Sequence, residues 1–390
     1  MKNFVISLLL ASSTAGAVCN SRPPVTLLRT YKTKFGLNYF IRSSTVTREI
    51  GFSTDEGNKI LNLTTGKVAS VSGSLDPVLS PDGRVLAVPE RLIFKGVNPK
   101  ALPVTSALQE NDVAAYEYNA DSGKVRRRIG KSFDFEQSPM TFSELKSKNI
   151  QYVVSGMSFY IRNTNGRFVF SHVDLKVNKY YQSIGRGQKA DTFRLLYEGD
   201  NSVMLKEYAI DHTTGELRDY SQSRALCGTT TGINSSIPMI SKDGSKFSIY
   251  DPGAGITKII NISDCRVVAT LPFQTGKIDF SPDGKHIIFH VDLNRKGGEQ
   301  PYRIPADKSR LAIRILNLET KLLSEIYAGR RADEDLYYPT FISDSQIAFV
   351  SRQKNHGNLV IQTATVNEEV SAGCSSPAVG HSSNKATSVR

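Results

Sequence analysis

One short phrase recurs along the chain and constrains what it can become. Pro77-Val-Leu-Ser-Pro-Asp-Gly83, Pro238-Met-Ile-Ser-Lys-Asp-Gly244, Ile278-Asp-Phe-Ser-Pro-Asp-Gly284 and Pro339-Thr-Phe-Ile-Ser-Asp-Ser345 each read as a few strand residues ending in a tight turn. Aspartate suits such a turn because its carboxylate bonds the backbone two residues on, and glycine because it accepts positive φ. A β-rich run follows each turn, at 85–88, 247–250, 286–289 and 347–350, and supplies a second strand.

A second phrase follows at a roughly constant offset. Asn62-Leu-Thr-Thr-Gly-Lys67, Asn119-Ala-Asp-Ser-Gly-Lys124, Asn163-Thr-Asn-Gly-Arg167 and Asp211-His-Thr-Thr-Gly-Glu216 read as hairpins joining a third strand to a fourth. Ile262-Ser-Asp-Cys-Arg266 and Asn317-Leu-Glu-Thr-Lys321 are variants in the same register, the first with Cys265 where a glycine is expected. Six such hairpins, and a last unit over 338–366 that has none, predict an all-β propeller of seven four-stranded blades. The strand missing from the last blade is assigned to Val25-Thr-Leu-Leu-Arg-Thr-Tyr31, so that the N-terminal strand closes the ring and removes two open edges.

The first residues point to export. Lys2, the apolar run over 4–11 and Ala15-Gly16-Ala17 have the form of a signal peptide, too short in its apolar part to span a membrane. The expected organisation is a signal peptide at 1–17, a single propeller domain at 18–374 and a disordered tail at 375–390. A periplasmic or secreted monomer that does not span a membrane follows. The formal charge is +12, of which Lys2 contributes one, leaving +11 on the mature chain. Such a charge favours polyanions. In an exported protein these are acidic peptides or anionic glycans rather than nucleic acid.

Four cysteines in an exported chain read as disulfides, since none has the close spacing of a zinc site. Three pairings are possible. Ring closure sets Cys19, just before the closing strand, beside Cys374, just after its partner, which leaves Cys227 with Cys265.

The Ser-Pro-Asp-Gly turn paired with the later Thr-Gly-Lys turn resembles the repeat of the TolB C-terminal propeller, over nearly the whole mature chain. The resemblance implies a docking platform in the bacterial envelope. The repeats begin too early to leave room for the separate N-terminal domain of TolB, so the chain is TolB-like, without the partnership with the lipoprotein Pal being implied. Similar repeats occur in prolyl-oligopeptidase-type peptidases and oligogalacturonate lyases. The peptidase reading fails because no Gly-x-Ser-x-Gly elbow is present.

Loops that join one blade to the next gather at one mouth of a propeller. Lys131, Tyr181, Arg186, Lys189, Lys277, Arg330, Arg331 and Tyr337 are assigned to that mouth as a binding surface, cations suiting carboxylates and aromatic rings covering apolar faces. Two departures from the repeat, the insertions at 89–112 and 294–309, are further candidates. His286, His290 and Asp292 share one strand face and form the nearest approach to a metal site. No cofactor is expected. The functional expectation is a non-enzymatic protein-binding platform of the envelope, the alternative being a lyase acting on, or a binder of, an acidic polysaccharide.

Overall fold

The computed structural model describes residues 18–19, 25–32, 37–54, 57–71, 77–95, 114–119, 124–129, 137–141, 152–173, 182–199, 202–230, 238–294, 310–328, 334–353 and 359–366. It is an all-β propeller. Two strands precede the first blade, β1 (Val18–Cys19) and β2 (Val25–Lys32). Blade 1 is β3 (Leu37–Ser44), β4 (Glu49–Thr54), β5 (Gly57–Asn62) and β6 (Val68–Val71). Blade 2 opens with β7 (Val78–Leu79) and β8 (Val85–Lys95), is interrupted by β9 (Ala114–Asn119), β10 (Lys124–Ile129) and β11 (Gln137–Thr141), and resumes with β12 (Tyr152–Arg162) and β13 (Phe168–Val173). Blade 3 holds β14 (Gln182–Arg186), β15 (Thr192–Glu198), β16 (Ser202–Ile210) and an outer strand split into β17 (Leu217–Asp219) and β18 (Arg224–Thr230). Blade 4 holds β19 (Met239–Ile240), β20 (Lys246–Asp251), β21 (Ile256–Asn261) and β22 (Val267–Leu271). Blade 5 is β23 (Asp279–Phe280), β24 (His286–Asp292), β25 (Leu311–Asn317) and β26 (Leu323–Ala328). Blade 6 is β27 (Glu334–Phe341), β28 (Gln346–Gln353), β29 (Leu359–Val366) and, as its outer strand, β2.

The ring therefore has six blades, not the seven expected from the repeat. The Asn119 turn caused the miscount. β12 pairs along β8 from Val85↔Ile161 to Tyr152↔Phe94 and so occupies the third-strand place of blade 2. β9 pairs with the far half of β8, between Arg91 and Lys95, on the edge that β7 takes at Leu86 and Ala87, and carries β10 and β11 on from that inner edge, away from β12. The segments that read as a separate blade are thus an appended ledge and the third strand of blade 2. A hairpin needs the same turn letters wherever it stands, so letters alone do not separate a blade from a ledge.

Closure falls where the sequence places it. β2 lies antiparallel to β29 from Val25↔Val366 to Lys32↔Val360. An N-terminal strand and the last strand thus share one sheet, which closes the ring. β1 adds a short parallel pairing outside β26, Val18 to Leu323 and Cys19 to Ser324. Residues 1–17, Cys374 and the tail at 375–390 lie outside the described residues, and with them the Cys19–Cys374 pairing.

The repeated phrases are explained by the turns they build. Ser80 Oγ accepts from the Val85 N–H at 2.9 Å and Asp82 Oδ1 from the Arg84 N–H at 3.0 Å. Ser241 with Asp243 and Ser281 with Asp283 repeat the arrangement. In the outer hairpins, Asn62, Asn163, Asp211 and Asn317 each accept two backbone N–H groups on one side-chain oxygen. Gly66, Gly166 and Gly215 take positive φ there, and Cys265 at 58° and Lys321 at 63° fill the same place. The two turns of a blade are bonded to each other: Leu63 N–H to Arg48 O at 2.9 Å, Ile262 N–H to Ser245 O at 2.8 Å, Leu318 N–H to Lys285 O at 2.7 Å. Both turn types thus share one side of the disc, called the turn face here. The described crossing from β22 to β23, the ledge strands and the ends of β24 and β25 at Asp292 and Leu311 lie on the other side.

The core sits between neighbouring blades, because each sheet is apolar on both faces. Phe159 of blade 2 packs with Phe193 and Tyr208 of blade 3, and Phe341 and Phe349 of blade 6 pack with Ile288 and Ile313 of blade 5. No helix among the described residues is long and apolar enough to cross a membrane.

Candidate functional site

The innermost strands line a central channel, and one repeat position forms a layer across it. Two residues before the turn serine, blades 2 and 4 carry Val78 and Met239. Blade 5 carries Asp279 there, blade 1 carries Arg42 two before Ser44, and blade 6 carries Thr340. Sequence reading did not single out these residues, yet they meet. Arg42 Nη1 lies 3.0 Å from Asp279 Oδ1, and Arg42 Nη2 donates to the Met239 thioether. Asp279 Oδ2 accepts from the Thr340 hydroxyl and the Phe341 N–H, both at 2.8 Å. Lys242, in the turn of blade 4, brings its Nζ to 3.1 Å from Asp279 Oδ2 and 3.1 Å from Ser43 Oγ.

The signal that would have revealed the site is a pair of departures from the repeat. Lys242 stands where blades 2 and 5 have Pro81 and Pro282, and Asp279 stands where blades 2 and 4 have an apolar residue. All three charged groups are buried, Arg42 and Lys242 at 7% and Asp279 at 3% exposure. Burial pushes the Asp279 carboxyl up, but Lys242, Arg42 and the bonds from Phe341 and Thr340 outweigh it and hold it below the ordinary carboxylate range. Burial lowers both cations, against the attraction of Asp279. A cavity of about 10 Å³ adjoins the cluster, lined by Arg42, Lys242 and Asp279 with Val78, Ile184 and Ile240 among others, and has room for one water.

The mouth assigned from sequence is not one surface. Arg186 and Lys189 lie at the turn of blade 3, on the turn face, with Arg186 N–H bonded to Lys242 O and Lys189 over the ring of Tyr220. Lys277 belongs to the crossing from β22 to β23, on the opposite side, and is buried rather than displayed. Tyr337 is half-buried against His290, ring centroids 6.0 Å apart. Lys131, Tyr181, Arg330 and Arg331 lie outside the described residues.

His286, His290 and Asp292 share a strand but not a coordination sphere. Four residues of strand separate the histidines by about 13 Å, far beyond the spacing of two ligands on one ion. His286 Nε2 lies 3.1 Å from Asn317 Nδ2. Asp292 Oδ1 accepts from the Asn294 and Arg310 N–H groups, both at 3.0 Å, and so pins the two ends of the 294–309 insertion. His290 is buried, accepts from the Tyr338 N–H on Nδ1 at 3.3 Å, and meets the Tyr338 ring edge-on at 5.1 Å. Burial lowers its pKa to about 3, so it is a neutral packing group at ordinary pH.

Cys227 and Cys265 form a disulfide, Cα atoms 5.3 Å apart, that ties the outer edge of blade 3 to the outer hairpin of blade 4. Both take positive φ, 52° and 58°.

No family model matches the chain, and no curated protein matches it. Among solved structures it is similar to a chain of the crystal structure of the mitotic checkpoint complex, at 10% identity and TM-score 0.44, with 91% of this chain and 99% of that chain covered. It is also similar to the Myceliophteria thermophila Cps50 (Swd1) β-propeller domain, at 10% identity and TM-score 0.41, with 88% and 100% covered.

Proposed function

We propose that this chain is a non-enzymatic protein-binding platform, exported to the periplasm or secreted, of the TolB-like kind that its repeats resemble. A propeller fold suits such a role, because its rigid ring presents loops from many blades on one side. The observation that carries the reading is the ledge of blade 2. β8 and β12 each run 11 residues, where β20 and β21 of blade 4 run 6, and the overshoot supports three further strands. Strands spent on a structure outside the ring contribute little to closing it. Their use lies in what they present. Asn294 and Arg310, which flank a second insertion and are both bonded to Asp292, stand on the same side of the disc.

The state of the buried ionisable groups also favours binding over chemistry. Asp279, Arg42 and Lys242 are engaged with one another, and His290 is held neutral in packing. The test is affinity capture from the envelope and secreted fractions with the mature protein. A variant whose residues 96–151 are replaced by a two-residue Asn-Gly turn serves as control. One protein retained by the wild type and lost with the variant supports the reading. Retention of an acidic polysaccharide alone, with its cleavage, contradicts it in favour of the lyase alternative.

A further inference from the structure

The pairing register sorts the residues of the ledge between two faces. Residues directly opposite each other on antiparallel strands share a face, and successive residues of one strand alternate between faces. One face therefore holds Arg91, Ile93 and Lys95 of β8, Tyr116 and Tyr118 of β9, and Arg128 of β10. The other holds Leu92 and Phe94 of β8, Glu117 of β9, and Arg127 and Ile129 of β10. The bulge between Val125 and Arg127 reverses the alternation along β10, and so puts Arg128 rather than Arg127 on the first face.

We infer, building on the reading of the ledge as a binding platform, that the face holding Arg91 and Arg128 takes an extended peptide segment of the partner whose acidic residues alternate with apolar ones. On the second face Glu117 stands directly opposite Arg127, a placement at which opposite charges pair. On the first face the register sets tyrosines opposite the arginines, Tyr118 opposite Arg91 and Tyr116 opposite Arg128. Arginine and tyrosine are the residue types that carry binding energy at protein interfaces, and the guanidinium fork matches a carboxylate. The apolar Leu92, Phe94 and Ile129 fall on the second face, the alternation of an antiparallel sheet packed on one side and solvated on the other. Spacing selects the partner. Arg91, Ile93 and Lys95 follow one another at every second residue of β8, about 7 Å apart. An extended peptide repeats its side chains at that same interval, so an acidic, an apolar and an acidic residue meet the three in turn. A uronate chain is polar at every unit and finds no match at Ile93.

The probe is a short fluorescent peptide in which glutamate and valine take turns at every second position, with threonine between them. Fluorescence anisotropy with the mature protein is expected to show binding that weakens as sodium chloride is raised, as for carboxylates met by cations. Arg91→Ala combined with Arg128→Ala is expected to weaken it by about tenfold. Arg127→Ala, on the other face, leaves it unchanged. The same peptide with glutamine in place of glutamate should not bind, and that comparison decides the matter should the double variant not fold. No binding of the glutamate peptide, equal binding of the glutamine peptide, a loss in Arg127→Ala equal to that in the double variant, or polygalacturonate held through Arg91 and Arg128 in the peptide's place would each overturn the assignment. Affinity capture separates it from the platform reading. A natural partner lost when residues 96–151 are replaced, but retained by the Arg91→Ala, Arg128→Ala variant, would leave the platform standing and remove the acidic peptide.

Discussion

Lys242 Nζ lies 3.1 Å from Asp279 Oδ2, and each residue breaks the repeat of its own blade at the place where the other can meet it. The two departures are complementary, so the channel is polar at its centre although the strands around it are apolar.

Removing one side of this cluster should not cost what removing the other costs. Asp279→Asn leaves two buried cations facing each other without a counter-charge and is expected to destabilise the fold by about 3–5 kcal/mol. Lys242→Met leaves a neutral Arg42–Asp279 pair and should stay within about 1 kcal/mol of wild type or exceed it. Urea unfolding at pH 7 with an unchanged m-value measures both. Equal losses would mean that the cations are not coupled through Asp279.

His290 should make the protein acid-sensitive in a defined window. Its pKa is lowered by burial to about 3 in the folded chain, from 6.5. Between these values the unfolded chain binds the proton and the folded chain does not, so stability is full above pH 6.5 and falls as pH drops, by about 1.4 kcal/mol per pH unit from this group. Asp279, held low, loses its ion pairs only as pH falls below the ordinary carboxylate range. Stability measured at pH 7 and pH 5 should differ by about 2 kcal/mol more in wild type than in His290→Gln, a group that does not titrate.

Gly276 leaves no room beside that imidazole. A Cβ added there would come within 2.1 Å of His290 Cε1, and the Gly276 N–H is bonded to His290 O at 2.8 Å. Gly276→Ala is expected to cost at least about 1–3 kcal/mol through overpacking. In a His290→Ala background the same change should be nearly free. A double-mutant cycle reads the coupling, and additive losses would show that the contact is not the cause.

The Cys227–Cys265 bond closes a loop with a sequence separation of 38 and is worth about 3–4 kcal/mol on the chain-entropy account. Cys265 adds a conformational cost, since at φ 58° it does what glycine does in blades 1, 2 and 3. Cys227→Ser with Cys265→Gly should therefore be more stable than Cys227→Ser with Cys265→Ser by about 1 kcal/mol. Thermal unfolding of the two double variants compares them directly.

What the sequence made legible was local chemistry repeated. Ser80, Asp82 and Gly83 build one turn through their own backbone, so their letters recur wherever that turn does, and the propeller class follows from counting them. The closing strand was legible because Val25–Lys32 has strand letters and the last blade lacked a partner. Blade count was not, because the Asn119 turn obeys the same chemistry on the ledge, and only the pairing of β8 with β12 reveals which hairpin belongs to the ring. The mouth cluster was drawn from charge and loop position alone. That put Arg186 and Lys189 with Lys277, although the turn and the crossing lie on opposite sides. Arg42, Lys242 and Asp279 escaped because each stands in a different blade, Arg42 lying 237 residues from Asp279. Their meeting depends on ring geometry.

The central claim is that six blades close the ring and the strands between β8 and β12 are an appended binding ledge. Replacing residues 96–151 by a two-residue turn tests it most directly, since β8 and β12 already pair as far as Phe94 and Tyr152. Equilibrium unfolding of that variant is predicted to remain a single cooperative transition with a Tm close to that of wild type. A variant that is unfolded or aggregated, as expected if those residues formed a seventh blade, would contradict the account.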